Sequence, residues 1–343
     1  MWRFIASRLA SALLVLLVLT IVVFVLTRII PSDPASVFAG PKAPPEELDR
    51  IRERLGFDRP LIVQYFSQLG GLLTGDWGTS LVTRRPVLAE FATRLPATLE
   101  LLLSAIAFAL IAGVVLGVIA TKRPGKFVDG LVRFLSIGGI SMPAFWLGLL
   151  LQILFVNRLG LLPATGQFSR DLEFISPITP VTHFPMLDSL ITGNWVAWSD
   201  GLAHLILPML TLAAYPMGLI ARMTRASMLE VQGQDYIFTA NAYGLGERMI
   251  RWRLALKNAI SPTLTVAGLS AAYALTGTFF VEVVFNWPGI GHFAVTAMTQ
   301  VDYPVIIAIT LLGAGGYLIA NLIVDIAQAK VDPRVRLGEE GAA

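Results

Sequence analysis

The amino-acid sequence predicts an all-α integral membrane protein with about six transmembrane helices and both termini in the cytoplasm. Hydrophobic residues make up 55% of the chain and charged residues only 14%. A typical soluble domain contains about 25% charged residues. The mean hydropathy of +0.70 agrees with membrane insertion. In addition, six of the segments without Asp, Glu, Lys or Arg are apolar and 19 to 24 residues long, and each is long enough to cross the hydrocarbon core.

The first charge-free segment is expected to be a retained membrane anchor. It follows Arg3 and Arg8, as in a signal peptide, but it is longer than a typical signal h-region and Thr27–Ile30 is no small-residue cleavage site. Its Leu, Val and Ile composition predicts a peripheral position facing lipid. The six segments cover residues 9–27, 101–121, 134–157, 202–221, 258–281 and 303–324.

Basic residues in the connections predict the orientation. Lys and Arg concentrate at the N-terminus, in residues 122–133 and 222–257, and in the tail. The connection at 158–201 holds only Arg158 and Arg170, and the one at 282–302 holds neither Lys nor Arg. The first connection is long, and long loops translocate regardless of their charge. The basic connections are therefore expected in the cytoplasm.

The first outer connection is predicted to contain two short amphipathic helices. Pro45, followed by two glutamates, is typical of a helix start, and Gly56 is expected to end that helix. Residues 61–73 form the second element, and the region serves either as a membrane-surface cap or as a platform for an external partner. The predicted parts of the chain are an N-terminal transmembrane helix (1–30), an extracytoplasmic amphipathic region (31–93), a five-helix permease domain (94–325) and a cytoplasmic tail (326–343).

The cytoplasmic connection at 222–257 carries the most specific local pattern. Asp235 is expected to cap a helix that runs through Thr239 to Tyr243, and Gly244 to end that helix in a left-handed conformation. Taken alone, the pattern also fits an ordinary positive-inside loop. In the outer connection at 158–201, Trp195 and Trp198 are predicted to be membrane-interface residues.

Motifs for catalysis and for nucleotide or metal binding are absent from the sequence. There is no cysteine, and there are only three histidines. The phosphate-binding P-loop motif of ATPases, G-x-x-x-x-G-K-[ST], does not occur. We therefore predict no catalytic residue, no metal site, no cofactor and no nucleic-acid partner. Charges within the spans mark ion-coupled carriers, and their scarcity here disfavours an ion-coupled secondary transporter, the alternative from another class.

Nearly the whole chain resembles the inner-membrane permeases of ABC importers, specifically the B-type permease of the dipeptide/oligopeptide/nickel group. The cytoplasmic loop of that group has an alanine-rich helix ended by glycine, and Phe238-Thr239-Ala240 and Gly244 occupy those positions here. Phe238 replaces the usual glutamate, which substitutes an apolar contact for a salt bridge. Other matching fragments include Arg94-Leu95-Pro96-Ala97-Thr98, Ser141-Met142-Pro143-Ala144-Phe145-Trp146, Arg222-Met223-Thr224-Arg225-Ala226-Ser227, Pro288-Gly289-Ile290-Gly291 and Asp332-Pro333-Arg334.

This resemblance implies a type I ABC importer transmembrane domain in a bacterial or archaeal plasma (inner) membrane. It implies a second homologous permease, two ATPase subunits that bind ATP and magnesium, and an extracytoplasmic binding protein as partners. The implied cargo is a di- or oligopeptide, with nickel chelates, glutathione or another small solute as alternatives. The implied coupling helix, at about 235–245, would contact the ATPase through Asp235, Tyr236, Phe238, Thr239, Ala240, Ala242, Gly244, Leu245 and Arg248.

Hydroxyl and small residues concentrate in the third and fifth spans, which are predicted to line the transport pathway. Such residues also serve helix packing, so packing remains the alternative. Gly113-x-x-x-Gly117 in the second span predicts close helix packing. The predicted lining residues are Ser141, Thr265, Ser270, Thr276 and Glu282; Glu282 alternatively belongs to an interfacial turn.

Overall fold

The computed structural model describes residues 2–29, 44–55 and 58–331, and this part of the chain is mainly helical. Gly56, the fragment at 31–34 and the tail beyond Val331 lie outside the described residues. The helices are α1 (Trp2–Ile29), α2 (Pro45–Leu55), α3 (Leu61–Thr74), α4 (Val87–Ala120), α5 (Phe127–Ser141), α6 (Ala144–Arg158), α7 (Leu172–Ile175), α8 (Pro185–Ile191), α9 (Trp195–Gln232), α10 (Asp235–Ala242), α11 (Glu247–Val284), α12 (Ile290–Thr299) and α13 (Tyr303–Val331).

The described part of the chain contains five helices that could each cross a membrane, or six spans if one bent pair of helices counts as a span. Helices α1, α4, α9, α11 and α13 are each long and apolar enough to cross a bilayer. Helices α5 and α6 are each too short to cross a bilayer and pass the same test only together, and a bend of 116° separates them. The expectation of one continuous third span over 134–157 is therefore wrong, whereas the expectation of about six spans is confirmed.

The break in the third span lies at Met142 and Pro143. Pro143 has no N–H and its ring collides with the preceding turn, so an α-helix does not continue through it. The residue before a proline is pushed out of the helical region, and Met142 is extended with φ −85° and ψ 131°. Non-helical backbone at membrane depth is tolerated where protein or a water-filled cavity surrounds it. The break is thus a candidate position for the transport pathway.

The chain divides into two compact units, which are described separately. The first comprises residues 1–96 and 288–318. In it, the Tyr65 hydroxyl of α3 lies 2.9 Å from the Thr20 hydroxyl of α1, and the Tyr65 ring meets Phe24 edge-on at 5.4 Å. The start of α2 at Pro45 and the presence of α3 confirm the two predicted amphipathic elements. Most of the large apolar side chains of α1 are exposed, which fits the predicted contact with lipid.

A buried carboxylate organises the segment between α3 and α4 in this first unit. Asp302, just before α13, is fully buried. Its Oδ2 accepts a hydrogen bond from the Ser80 hydroxyl at 2.6 Å and one from the Val82 N–H at 3.2 Å. Because a buried charge is costly without such partners, these contacts hold the loop against the start of α13.

The second unit, residues 97–287 and 319–343, is built around α9. Trp287 is fully buried in its main apolar cluster and donates an indole hydrogen bond to the Ala97 carbonyl at 2.8 Å. At the start of α9, Trp195 and Trp198 meet edge-on at 6.1 Å, and Trp195 is exposed. Their position at the end of a span agrees with the predicted interfacial role.

Glycines in α4 let its backbone approach α9 closely. A Cβ atom added to Gly113 would lie 2.7 Å from Ile220 Cγ2, and one added to Gly117 would lie 2.5 Å from Thr224 Cβ. Real Cβ atoms do not approach neighbours at these distances. The close packing predicted from Gly113-x-x-x-Gly117 is therefore confirmed.

Helices α5 and α9 are also in backbone contact, at two glycines. A Cβ atom on Gly139 of α5 would lie 2.6 Å from the Ala214 carbonyl oxygen of α9. A Cβ atom on Gly218 of α9 would lie 2.6 Å from the Ser136 carbonyl oxygen of α5. These contacts join the two helices over the last turns of α5, from Ser136 to Gly139.

Two adjacent glycines of α5 provide a matched test of this packing. Gly139→Ala is expected to destabilise the chain by about 1–3 kcal/mol, because overpacking must displace the α9 backbone. Gly138→Ala places its Cβ where no atom lies within 4 Å, and should be neutral or stabilising by up to about 1 kcal/mol. Thermal unfolding of the purified protein in detergent measures both. Equal shifts in the melting temperature would contradict the described contact.

Candidate coupling helix and transport pathway

The predicted cytoplasmic helix is present as α10, with a local geometry that corrects one expectation. Gln234 precedes the helix and Asp235 is its first residue, with no side-chain hydrogen bond at the N-cap. The prediction that Asp235 caps the helix is therefore wrong, although a carboxylate in the first turn still favours the helix dipole. Gly244 has φ +73°, so it ends the segment in the left-handed conformation as predicted.

One face of α10 is buried within the chain. Ile237 and Ala240 are buried and belong to an apolar cluster with residues from α4, α9 and the start of α11. Val118 and Met228 are fully buried members of that cluster. Small or apolar residues three positions apart fall on one side of a helix, which explains why these two face inward.

The opposite face of α10 and the residues after it are exposed. Phe238 is 64% exposed and Tyr243 is 82% exposed, although both are large and aromatic. Of the nine predicted ATPase-contact residues, only Ala240 is buried within this chain. The other eight are exposed: Asp235, Tyr236, Phe238, Thr239, Ala242, Gly244, Leu245 and Arg248. An exposed apolar patch of this kind is typical of a protein-interaction surface.

Polar contacts also connect α10 and its flanking segments to the spans. The Tyr236 hydroxyl accepts a hydrogen bond from Asn258 Nδ2 of α11 at 2.8 Å. Gln232 Nε2, at the end of α9, donates to the Thr121 hydroxyl at 3.2 Å. Together with the buried Ile237 and Ala240, these contacts fix α10 to three spans.

A cavity of about 390 Å³ lies beside the break in the third span. Ligand pockets typically enclose about 300–1,000 Å³, are mostly apolar and carry a few polar groups. No Asp, Glu, Lys, Arg or His of the described residues lines this cavity. Its aromatic walls include Tyr215 and Tyr273, whose ring centroids are 5.0 Å apart, and Phe145 and Phe280, 6.4 Å apart. The cavity therefore suits a neutral, partly apolar solute.

The five predicted pathway residues occupy different surroundings. Ser141 and Thr276 line the cavity. Thr265 is half-buried, and Ser270 is buried with its hydroxyl donating to the Val266 carbonyl at 2.7 Å. Glu282 is fully buried and accepts a hydrogen bond from the Thr98 hydroxyl at 2.7 Å. The lining role stays a prediction for these residues, and burial of Ser270 and Glu282 fits the alternative role in packing.

Glu100 is an organising residue that the sequence reasoning missed. One of its carboxylate oxygens accepts a hydrogen bond from Gln167 Nε2 at 2.7 Å, and the other accepts one from the Met186 N–H at 2.9 Å. It thereby joins the outer end of α4 to the connection before α9. The charge-free segment begins at Leu101, so a search for such segments excludes the preceding glutamate from the span.

Asp188 in α8 organises the same outer connection. Burial raises the pKa of its carboxyl, but hydrogen bonds from Thr182, Val181 and His183 outweigh burial and hold that pKa below its usual range. The Thr182 hydroxyl donates to Oδ1 at 2.5 Å. The carboxylate therefore stays ionised and fixes residues 181–183.

Within the described part of the chain, there is no group of three or more His, Cys, Asp or Glu side chains that could hold a metal ion.

Comparisons with known proteins place these features in a family. The family model described as "Binding-protein-dependent transport system inner membrane component" matches residues 113–337. A second, for the N-terminal part of such membrane components, matches residues 1–102. Together these matches cover the chain up to residue 337 except for residues 103–112, which lie within α4.

Relatives match the chain from end to end. It is 40% identical over 337 residues to the probable D,D-dipeptide transport system permease protein DdpB of Escherichia coli, covering 98% of both chains. It is 41% identical over 330 residues to the dipeptide transport system permease protein DppB of Alkalihalophilus pseudofirmus, covering 96% of this chain and 98% of that protein. It is 35% identical over 336 residues to the glutathione transport system permease protein GsiC of Salmonella typhimurium, covering 98% and 99%. The chain therefore belongs to the family of binding-protein-dependent transport system inner membrane components, and is a multi-pass membrane permease component rather than a catalytic subunit.

Proposed function

We propose that this chain is one of two permease subunits of an ATP-driven ABC importer for dipeptides. The other subunits are a homologous permease, two ATPases that bind ATP and magnesium, and an extracytoplasmic protein that delivers the cargo. This chain binds no cofactor of its own. Its role is to convert movement of the ATPases into opening and closing of the pathway.

The observation that carries this proposal is the two-sided character of α10. One side, through Ile237 and Ala240, is packed into the cytoplasmic ends of the spans. The other side presents Phe238 and Tyr243 to a partner. A short helix that is fixed on one side and apolar on the other suits the transmission of movement from a bound subunit. This supports α10 as the coupling helix.

The dipeptide cargo is supported by the relatives and by the cavity. Several relatives are named as dipeptide or di/tripeptide permeases. The cavity of about 390 Å³ lies within the size range of small-molecule pockets, which is compatible with a dipeptide. Glutathione is the second candidate, because one relative is named for its transport.

The test is uptake by the complete importer in a host that lacks other peptide importers. The chain is produced with its cognate permease, ATPases and binding protein, and uptake of labelled dipeptides, glutathione and a nickel chelate is measured. We expect dipeptide uptake that requires both this chain and the ATPases. Uptake without the ATPases that a protonophore abolishes would contradict the proposal and favour an ion-coupled carrier.

A further inference from the structure

Asp129 forms a buried ion pair that the sequence analysis did not anticipate. It lies in the first turn of α5 and is 1% exposed. Its two carboxylate oxygens accept hydrogen bonds from Arg225 of α9, one from Nε at 2.5 Å and one from Nη2 at 2.9 Å. The Gly125 N–H donates a third hydrogen bond, at 2.8 Å. Paired guanidinium–carboxylate bonds of this kind are strong and fix the relative orientation of the two groups.

Arg225 lies between the candidate coupling helix and the cavity. Roughly 10 Å of helix separates it from Gln232, the last residue of α9. Only Gly233 and Gln234 then precede α10. In the other direction along α9, Ala214, Tyr215 and Pro216 line the cavity. Along α9, the ion pair therefore lies between α10 and the cavity.

The partner helix of the ion pair leads to the same cavity. From Asp129, α5 runs along α9 through the backbone contacts at Ser136 and Gly139. It ends at Ser141, and Gly139, Ile140 and Ser141 all line the cavity. The broken backbone at Met142 and Pro143 follows directly. One end of α5 is thus held by the charged pair, and the other end forms part of the cavity wall.

We propose that the Asp129–Arg225 pair positions α5 so that movement of α10 is transmitted through α9 to the cavity wall at the break. The two residues touch neither cargo nor ATP, and they act by keeping α5 and α9 in one orientation at the cytoplasmic side. This inference rests on the proposed function. It predicts that, without the pair, ATP is still hydrolysed but cargo transport is lost. The reason is that the ATPases still contact α10, while α5 no longer moves together with α9.

A purely structural role for the pair predicts a different result. Removing one member of a buried ion pair leaves the other charge without its partner and destabilises a protein. If stability were the whole effect, assembly, ATP hydrolysis and transport would decline together. The ratio of ATP hydrolysed to cargo transported separates the two roles, since a smaller amount of intact complex leaves that ratio unchanged.

The experiment uses the complete importer in proteoliposomes with its binding protein, a labelled dipeptide and ATP. Asp129→Asn and Arg225→Gln each remove one charge of the pair. Arg133→Gln is the matched control, because Arg133 is 54% exposed and its Nε lies 3.7 Å from the same carboxylate. We expect both pair variants to retain binding-protein-stimulated ATP hydrolysis within about twofold of wild type while transport falls at least tenfold. The control should transport at the wild-type rate.

Rescue by a covalent link keeps the test decisive if the single variants assemble poorly. The chain contains no cysteine, so Asp129→Cys combined with Arg225→Cys introduces a unique thiol pair. A short bifunctional thiol reagent should restore at least half of the wild-type transport per ATP, and a monofunctional reagent should not. An unchanged ATP-to-cargo ratio in the variants, or no restoration by the link, would overturn the inference. If the wild-type importer showed no ATP-driven dipeptide uptake, the proposed function itself would fail.

Discussion

Replacement of Phe238 by aspartate is expected to detach the ATPase subunits from the membrane complex while this chain remains folded. Phe238 is 64% exposed, so its loss removes little packing within the chain. In an interface, an aromatic anchor of this kind contributes about 2 kcal/mol or more. That corresponds to roughly a 30-fold loss of affinity. Burying an unpaired carboxylate in its place adds a desolvation cost. Co-purification of the ATPases with the tagged chain measures the effect.

Phe127 provides the control for this prediction. It is 81% exposed at the cytoplasmic start of α5 and lies outside the predicted ATPase contact. Phe127→Asp introduces the same charge on the same side of the membrane and should leave the amount of bound ATPase unchanged. Wild-type amounts of ATPase bound to the Phe238→Asp variant would show that α10 is not the docking helix.

Filling the cavity with an indole is expected to stop transport without stopping assembly. Thr276 lines the cavity and is exposed, so Thr276→Trp has room for the larger side chain without disturbing the buried core. The indole reduces the space for a solute in a cavity of about 390 Å³. We expect dipeptide uptake to fall at least tenfold, with ATPase binding intact.

Leu269→Trp is the matched control for the cavity. Leu269 is exposed on the same helix, α11, and is not among the cavity residues. Uptake in this variant should remain within about twofold of wild type. If Thr276→Trp transported dipeptides as fast as Leu269→Trp, the cavity would not be part of the pathway.

The number of spans was predictable because the bilayer imposes a length and an absence of charge that a sequence displays directly. The break in the third span was not predicted, although its cause, Pro143, stands in the sequence. A count of apolar residues contains no information on the direction of the helix axis, so it predicts one straight helix over residues 134–157. The proline rule, applied within that segment, would have located the break.

The position of α10 was predictable from local residues, but its inward and outward faces were not. Gly244 marks the end of the segment wherever the helix lies. The burial of Ala240, in contrast, depends on Val118 and Met228, which come from other helices. Likewise, the Asp129–Arg225 pair joins residues 96 positions apart. Arg225 lies in a fragment that resembles the permease family, but nothing in that fragment points to Asp129, so only the packing of α5 against α9 reveals the pair.

The most direct test of the central claim is to replace residues 235–245 with a flexible Gly-Ser stretch of equal length. ATP-driven dipeptide uptake is then measured with the complete importer. The account predicts that uptake falls to the background level, because α10 no longer connects the ATPases to α9, while the chain still inserts into the membrane. Uptake at the wild-type rate would contradict the claim that a rigid α10 transmits the movement.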